Sequence, residues 1–123
     1  MLWFQAMTRL IFPRWGVTMF FLFVSYNSHA NTKEFYLTLE NHVFTPSELK
    51  IPANTKIKLV ISNKDKVAEE FDSFDLNREK VLFPQRKSTI FIGPLKPGNY
   101  EYFGEFHPNS ARGVIIVEVK HVN

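Results

Sequence analysis

The 123-residue chain contains no cysteine. Disulfide bonds, a lipid-modified cysteine, a thiolate nucleophile and a thiolate metal site are therefore all excluded. Methionine is nearly as scarce, because the three methionines lie at Met1, Met7 and Met19. The rest of the chain thus lacks sulfur ligands of any kind, and soft metal ions such as Cu(I) prefer sulfur.

Excess charge of one sign is also missing once the N-terminal region is set aside. The formal net charge is +3, from 15 Lys+Arg and 12 Asp+Glu. Arg9 and Arg14 lie within residues 1–30, which contain no acidic residue, so the remaining 93 residues carry 13 basic and 12 acidic side chains, a net charge of +1. No basic patch remains that would indicate a nucleic-acid partner.

Residues 1–30 have the pattern of a secretory signal peptide. Two arginines precede the apolar run WGVTMFFLFVSY (residues 15–26), and Ser28-His29-Ala30 is a small-x-small cleavage site. The pattern predicts cleavage after Ala30 and export to the periplasm, with either Met1 or Met7 as the start. An uncleaved membrane anchor is the alternative, but the run is shorter than the roughly 20 residues that span a bilayer.

Short β-strand patterns fill the predicted mature domain, residues 31–123. Runs such as EFYLTLE, TKIKLVISN and GVIIVEVKHV are rich in Val, Ile, Phe and Tyr, and Pro, Gly or Asn bounds them. About seven such strands without a long helical period predict an all-β sandwich. The polar segment from 64 to 83 holds six of the acidic residues, and we expect it to be extended, with one helical turn near 76–78.

The order of these signals resembles the cupredoxin family. The segments VFTPSELKIPANTKIKLVISNKDKVAEEF (residues 43–71) and KPGNYEYFGEFHPNSARGVIIVE (residues 96–118) follow that family's pattern of a Phe-x-Pro strand, a strand ending in Asn, and a final hairpin with Pro-Gly-x-Tyr. The resemblance covers residues 34–119. It implies a Greek-key β-sandwich of cupredoxin type.

The chain departs from the family at the copper ligands. Glu69 stands at the upstream His position, Gly104 at the Cys position, and Ser110 or Ala111 near the axial Met position, whereas His107 matches the second His. A blue-copper centre requires a thiolate. Electron transfer by such a centre is therefore excluded, whatever the fold.

Within that family the chain is most similar to the EfeO-type cupredoxin-like domains associated with bacterial iron uptake. The resemblance rests on AEEFDS (residues 68–73) and EFHP (residues 105–108). It implies a periplasmic domain that handles iron or copper. The partners that it implies are a membrane iron permease or another periplasmic protein.

The residues themselves also indicate a metal site. In the cupredoxin topology, the acidic segment and the last hairpin meet at one end of the sandwich, and five side chains are the predicted ligands: Glu69, Glu70, Glu79, Glu105 and His107. Carboxylates with one imidazole suit iron, manganese or Cu(II). Alternatively, these glutamates are solvated, and Arg78 and Arg112 pair with Glu69 and Glu105 and fill the place of a metal. His42, in the turn ENHVF, is either incidental or a ligand.

Motifs of the common enzyme classes are absent from the sequence: it has no nucleophile elbow, no glycine-rich phosphate loop and no His-rich zinc motif. We therefore expect no catalysis. The predicted function is periplasmic binding of iron or copper in support of metal uptake or homeostasis. The alternatives are a metal-free interaction module that keeps the cupredoxin fold and a helper that oxidises Fe(II) on a bound copper.

Overall fold

A computed structural model describes residues 24–25 and 31–120 of the chain. The signal-peptide prediction concerns residues 1–30, so it falls outside this part except at residues 24–25. Among the described residues, no helix has the length and the hydrophobicity needed to cross a membrane.

Nine β-strands form two packed sheets in the described part of the chain: β1 (Glu34–Glu40), β2 (Val43–Thr45), β3 (Glu48–Pro52), β4 (Ile57–Asn63), β5 (Glu69–Ser73), β6 (Arg78–Leu82), β7 (Lys87–Ile92), β8 (Gly98–Gly104) and β9 (Arg112–Glu118). The first sheet has the order β2-β1-β4-β7 and the second β3-β9-β8-β5-β6. The pairs β1·β4 and β3·β9 are parallel, and the other pairs are antiparallel. The predicted all-β sandwich is confirmed.

Alternating apolar residues direct one face of each sheet inward. Leu37 and Leu39 of β1 and Ile57, Leu59 and Ile61 of β4 are buried, as the period of two predicts. From the second sheet, the buried aromatic rings are those of Phe71 and Tyr102, which stack on each other with centroids 5.1 Å apart. The two inner faces together make one core, so the fold is held by packing alone, without disulfides.

The strand count exceeds the predicted seven because two short strands are hard to recognise from sequence. β2 has three residues. β6 lies inside the acidic segment, and Leu82 is the only buried residue of this strand. The helical turn expected near residues 76–78 is a non-helical turn over residues 74–77 that joins β5 to β6. Ser73 stabilises this turn, because its hydroxyl accepts a hydrogen bond from the N–H of Leu76 at 3.1 Å.

Four connections meet at the end of the sandwich where β1, β4, β6 and β8 finish: residues 41–42, 64–68, 83–86 and 105–111. The parallel register of β1 and β4 puts the first two connections side by side. The second sheet joins them there, since Phe71 near the start of β5 pairs with Gly104 at the end of β8. This end of the fold carries the candidate site.

Candidate metal centre

A buried glutamate lies at the centre of the site. Glu69, the first residue of β5, is 1% exposed. Its Oε1 accepts hydrogen bonds from the backbone N–H of Glu70 at 2.9 Å and of Phe106 at 2.8 Å, and its Oε2 lies 2.7 Å from Nδ1 of His107. A carboxylate is costly to bury unless it is hydrogen-bonded and paired. The three hydrogen bonds meet the first condition, and they tie β5 to the β8–β9 loop.

Gly104 makes room for this carboxylate. A Cβ built on Gly104 would lie 2.6 Å from Cδ and 2.8 Å from Oε2 of Glu69, and 2.8 Å from Cβ of Ala111. These separations are too short for real atoms. The carboxylate of Glu69 therefore occupies the space into which a side chain at position 104, the cysteine position of the family pattern, would project.

His107 is fixed by the turns of the β8–β9 loop. Its N–H donates to the carbonyl of Gly104 at 3.2 Å, and its own carbonyl accepts from the N–H of Ala111 at 2.9 Å. The side chain remains 34% exposed, in contrast to the buried side chain of Glu69. The imidazole thus bridges the buried carboxylate and the solvent.

His42 brings a second imidazole to the same place. It lies with Asn41 in the two-residue turn between β1 and β2, and both residues have positive φ, 59° for His42 and 51° for Asn41. The rings of His42 and His107 stack with centroids 3.6 Å apart and planes 14° apart. Positive φ at both central residues is what a two-residue hairpin turn requires. The stacking contact connects His42 with the site.

His42, Glu69 and His107 together form a three-residue cluster. One potential ligand atom from each residue lies within 4.8 Å of those from the other two. Across residues 24–25 and 31–120, this is the one such group of three or more His, Asp or Glu side chains. We call this group the His-Glu-His cluster.

Two of the five predicted ligands, Glu69 and His107, belong to the His-Glu-His cluster. Glu70, Glu79 and Glu105 do not: Glu70 is half-buried, and the other two are exposed. Side chains alternate along β5, so Glu70 points away from the buried side where Glu69 lies. Glu105 follows Gly104 in a turn, where strand alternation no longer applies, and its N–H donates to the carbonyl of Glu70 at 2.9 Å.

The three remaining glutamates lie near one another on the outer side of the second sheet. Partial burial and then repulsion from Glu79, Glu105 and Asp72 raise the pKa of Glu70 above its ordinary value. Asp72 pairs across the strands with Glu79. We call Glu70, Asp72, Glu79 and Glu105 the outer acidic patch. It adjoins the His-Glu-His cluster, since the charge of Glu69 also raises the pKa of Glu70.

The predicted arginine counterions lie elsewhere. Arg78 donates from Nε to the carbonyl of Phe91 at 3.4 Å and from a terminal nitrogen to the carbonyl of Asn77 at 3.0 Å. Within residues 31–120, neither Arg78 nor Arg112 forms an ion pair with Glu69 or Glu105. No arginine of the described residues pairs with Glu69 at the centre of the site.

His42 is the residue that sequence reasoning left undecided. Its position depends on contacts between segments far apart in the chain, which strand patterns do not encode. The Asn-His dipeptide between two strands is nevertheless a signal: Asn and His are among the non-glycine residues that tolerate positive φ, and a tight hairpin needs such residues.

Comparison with known proteins agrees with the fold. The chain matches the cupredoxin-like domain family over residues 15–117 and belongs to that family. Over 90 residues it is 47% identical to the uncharacterized protein RP394 of Rickettsia prowazekii (strain Madrid E). The aligned region covers 73% of this chain and 72% of that protein.

Solved structures of low sequence identity share the sandwich. One is the Cu(I)-bound metal binding domain of the Cu(I)-exporting P-type ATPase CopA of Streptococcus pneumoniae D39 (TM-score 0.61, 10% identity, 69% of this chain and 84% of that chain). A second is a purple cupredoxin from Nitrosopumilus maritimus (TM-score 0.53, 21% identity, 68% of this chain and 98% of that chain). A third is auracyanin A, a blue copper protein from Chloroflexus aurantiacus (TM-score 0.60, 12% identity, 69% of this chain and 98% of that chain). At these identities the likeness shows the fold alone.

Proposed function

We propose that the protein binds a metal ion, copper or iron, through His42, Glu69 and His107 and does not catalyse a reaction. The observation that carries the proposal is the convergence of two imidazoles on a buried carboxylate, with ligand atoms within 4.8 Å of one another. The membership of the cupredoxin-like family adds support, because structural neighbours include copper-binding proteins.

The donor set fits a metal ion of intermediate hardness. Two imidazoles and one carboxylate suit Fe(II), Cu(II) and zinc, whereas Cu(I) favours sulfur, which the site lacks. Nδ1 of His42 is buried without a hydrogen-bond partner, and Oδ2 of Asp65 lies 3.5 Å from it. Without cysteine there is no thiolate, so the proposed site is not a blue-copper centre.

The three side chains have different roles in such a site. Glu69 supplies negative charge from a fixed position, since three hydrogen bonds hold its two oxygens. His107 is a third exposed, so an ion reaches it from solvent. An imidazole lone pair lies in the ring plane, and the two rings are nearly parallel. Joint binding by both rings therefore requires at least one to rotate.

The cellular role that we propose is the support of metal uptake or homeostasis in the periplasm. The N-terminal signal-peptide pattern supports export. The similarity of AEEFDS and EFHP to the EfeO-type domains supports a link to iron uptake, with a membrane iron permease or a periplasmic protein as partner. Binding without a thiolate suits a protein that holds and hands on an ion.

A calorimetric titration tests metal binding. The purified protein, freed of metal by chelation, is titrated with Cu(II), Fe(II) and Zn(II) beside the variants His42→Gly, Glu69→Gln and His107→Ala. Loss of a residue that only supports a metal ligand typically weakens metal binding 10–100-fold. We therefore expect loss of a ligand itself to weaken binding at least 10-fold. Glu79→Gln, which alters an exposed carboxylate of the outer acidic patch, is the matched control and leaves affinity unchanged.

Zn(II) gives a second readout because it is diamagnetic. If both imidazoles bind, the ring-proton signals of His42 and His107 shift when the stack opens, and they do so in the wild type but not in Glu69→Gln at the same Zn(II) concentration. The proposal would be contradicted if all three ligand variants bound the metal ion as tightly as the wild type does. The absence of binding of all three metal ions would contradict it as well.

A metal-free interaction module is the second candidate function. One observation favours it: the oxygens of Glu69 already have hydrogen-bond partners, so the site is satisfied without an ion. In that case Glu69 and His107 together stabilise the β8–β9 loop. The titration separates the two functions, since a module binds no metal, while Glu69→Gln and His107→Ala still lower its stability.

A further inference from the structure

The side chain of Asp65 accepts hydrogen bonds from the turn that carries His42. Asp65 lies in the loop after β4, more than 20 residues further along the chain. Its Oδ1 accepts the backbone N–H of Asn41 at 2.7 Å, and its Oδ2 accepts the backbone N–H of His42 at 3.0 Å. One carboxylate thus satisfies both N–H groups of a turn whose two residues have positive φ.

The loop that carries Asp65 is itself anchored. Asn63, 1% exposed, accepts the N–H of Asp65 at its Oδ1 (3.0 Å) and donates from Nδ2 to the carbonyls of Val67 (2.9 Å) and Leu82 (3.1 Å). The carbonyl of Asp65 accepts the N–H of Gln85 at 3.1 Å. Asp65 is therefore held from two sides, by β4 and by the β6–β7 loop, independently of its contacts with the turn.

The same carboxylate faces the His42 ring. Oδ2 of Asp65 lies 3.5 Å from Nδ1 of His42, and that nitrogen is buried without a hydrogen-bond partner. The side chain of Asp65 is only 12% exposed. Carboxylates commonly orient ligating imidazoles from the side opposite the metal, and their loss typically costs 10–100-fold in metal affinity.

We infer that Asp65 is the positioning residue of the site: it fixes the β1–β2 turn and the His42 ring, so that His42 stays with Glu69 and His107. The inference rests on the proposed function only for its effect on metal affinity. Its structural part, the placement of the ring, holds with or without an ion. Asp65 itself contributes no ligand atom.

NMR of the metal-free protein tests the placement. Stacking displaces the ring-proton signals of His42 and His107 through ring currents. We expect Asp65→Ala to move both sets towards the values of free histidine, and Asp65→Asn, which keeps one acceptor oxygen, to move them less. Asp75→Ala is the matched control, since Oδ2 of Asp75 accepts the N–H of Glu101 at 2.8 Å at the opposite end of the sandwich. Unchanged ring signals in a folded Asp65→Ala protein would overturn the inference.

A double-mutant cycle tests the effect on binding. We expect Asp65→Ala to weaken Cu(II) affinity about 10–100-fold in the wild type. In the His42→Gly background, the same substitution has almost no further effect, because Asp65 acts through His42. An equal loss in both backgrounds refutes the inference, since it would mean that Asp65 acts on the fold or on the ion directly. If the wild type binds no metal, the proposed function fails, and the NMR result alone decides the role of Asp65.

Discussion

At the scale of single residues, the site is defined by a glycine and the buried carboxylate beside it. Gly104 has no side chain, and the carboxylate of Glu69 lies where one would project. The family's pattern has cysteine at the position of Gly104 and histidine at that of Glu69. The site therefore keeps the cupredoxin frame but offers oxygen in place of sulfur, which changes the class of ion it suits.

Gly104→Ala tests how tightly these two residues are coupled. The added methyl group would lie 2.6 Å from Cδ of Glu69, so either the carboxylate leaves its three hydrogen bonds or the strand shifts. Overpacking of this kind costs about 1–3 kcal/mol. We expect a loss of that size in urea unfolding, together with weakened Cu(II) binding in calorimetry.

The double variant Glu69→Ala with Gly104→Ala is the control, because it removes the carboxylate that the methyl group meets. Its loss of stability should be smaller than the sum of the two single losses. Strict additivity would show that the carboxylate does not occupy this space.

Glu70→Gln addresses the outer acidic patch. The folded-state pKa of Glu70 is raised above its ordinary value of 4.5, so the fold disfavours the charged form. The carboxyl group of Glu70 therefore lowers stability as pH rises from the unfolded value through the folded one, and this loss is complete above the folded pKa. We expect Glu70→Gln to melt slightly higher than wild type at pH 7 and equally below pH 4.5.

Glu48→Gln is the comparison variant for this pH series, since Glu48 is exposed on β3, at the opposite edge of the same sheet. Its difference from wild type at each pH is the baseline against which the gain of Glu70→Gln is measured. A Glu70→Gln protein that is less stable than wild type at pH 7 would contradict the assigned repulsion.

At the scale of elements, the sequence predicts the sandwich better than the site. Alternation along β1 and β4 identifies the buried faces correctly, because burial requires a period of two. The family pattern also identifies Glu69 and His107 as neighbours. His42 and Asp65 are not predictable in this way: one lies in a hairpin and the other in a loop, and the contact between them depends on how β1 and β4 align.

Asn63, the last residue of β4, links these elements. Its amide makes three hydrogen bonds that fix the start of the next loop and join it to β6. Asn63→Ala leaves the buried carbonyl of Leu82 and its other partners unsatisfied, at about 1–3 kcal/mol for each group that water cannot reach. We expect unfolding in urea to show a loss of about 2–3 kcal/mol.

The exposed Asn99 on β8 offers a matched substitution, and Asn99→Ala should change stability little. If Asn63→Ala proves as harmless as Asn99→Ala, then the amide is not the anchor of the 64–68 loop. The support for Asp65 would then come from Gln85 alone.

At the scale of the whole molecule, the fold relies on one small core. No disulfide stabilises it, and the strands that carry the site's residues belong to both sheets. His42 follows β1 of the first sheet, whereas Glu69 begins β5 and His107 follows β8, two strands of the second sheet. An ion held by all three would therefore link the two sheets at one end of the sandwich, and binding would stabilise the fold as a whole.

Thermal and chemical unfolding with Cu(II) measures this linkage. A ligand that binds only the folded state adds about 2.7 kcal/mol when its free concentration is 100 times its Kd. We expect a gain of this size for the wild type at such a concentration, a much smaller gain for His107→Ala and His42→Gly, and the full gain for Glu79→Gln. The unfolded chain also contains histidines that bind Cu(II), which reduces the gain equally in wild type and in Glu79→Gln. If His42→Gly keeps the full gain, then the ion is held by the second sheet alone, and the two sheets are not linked through the metal.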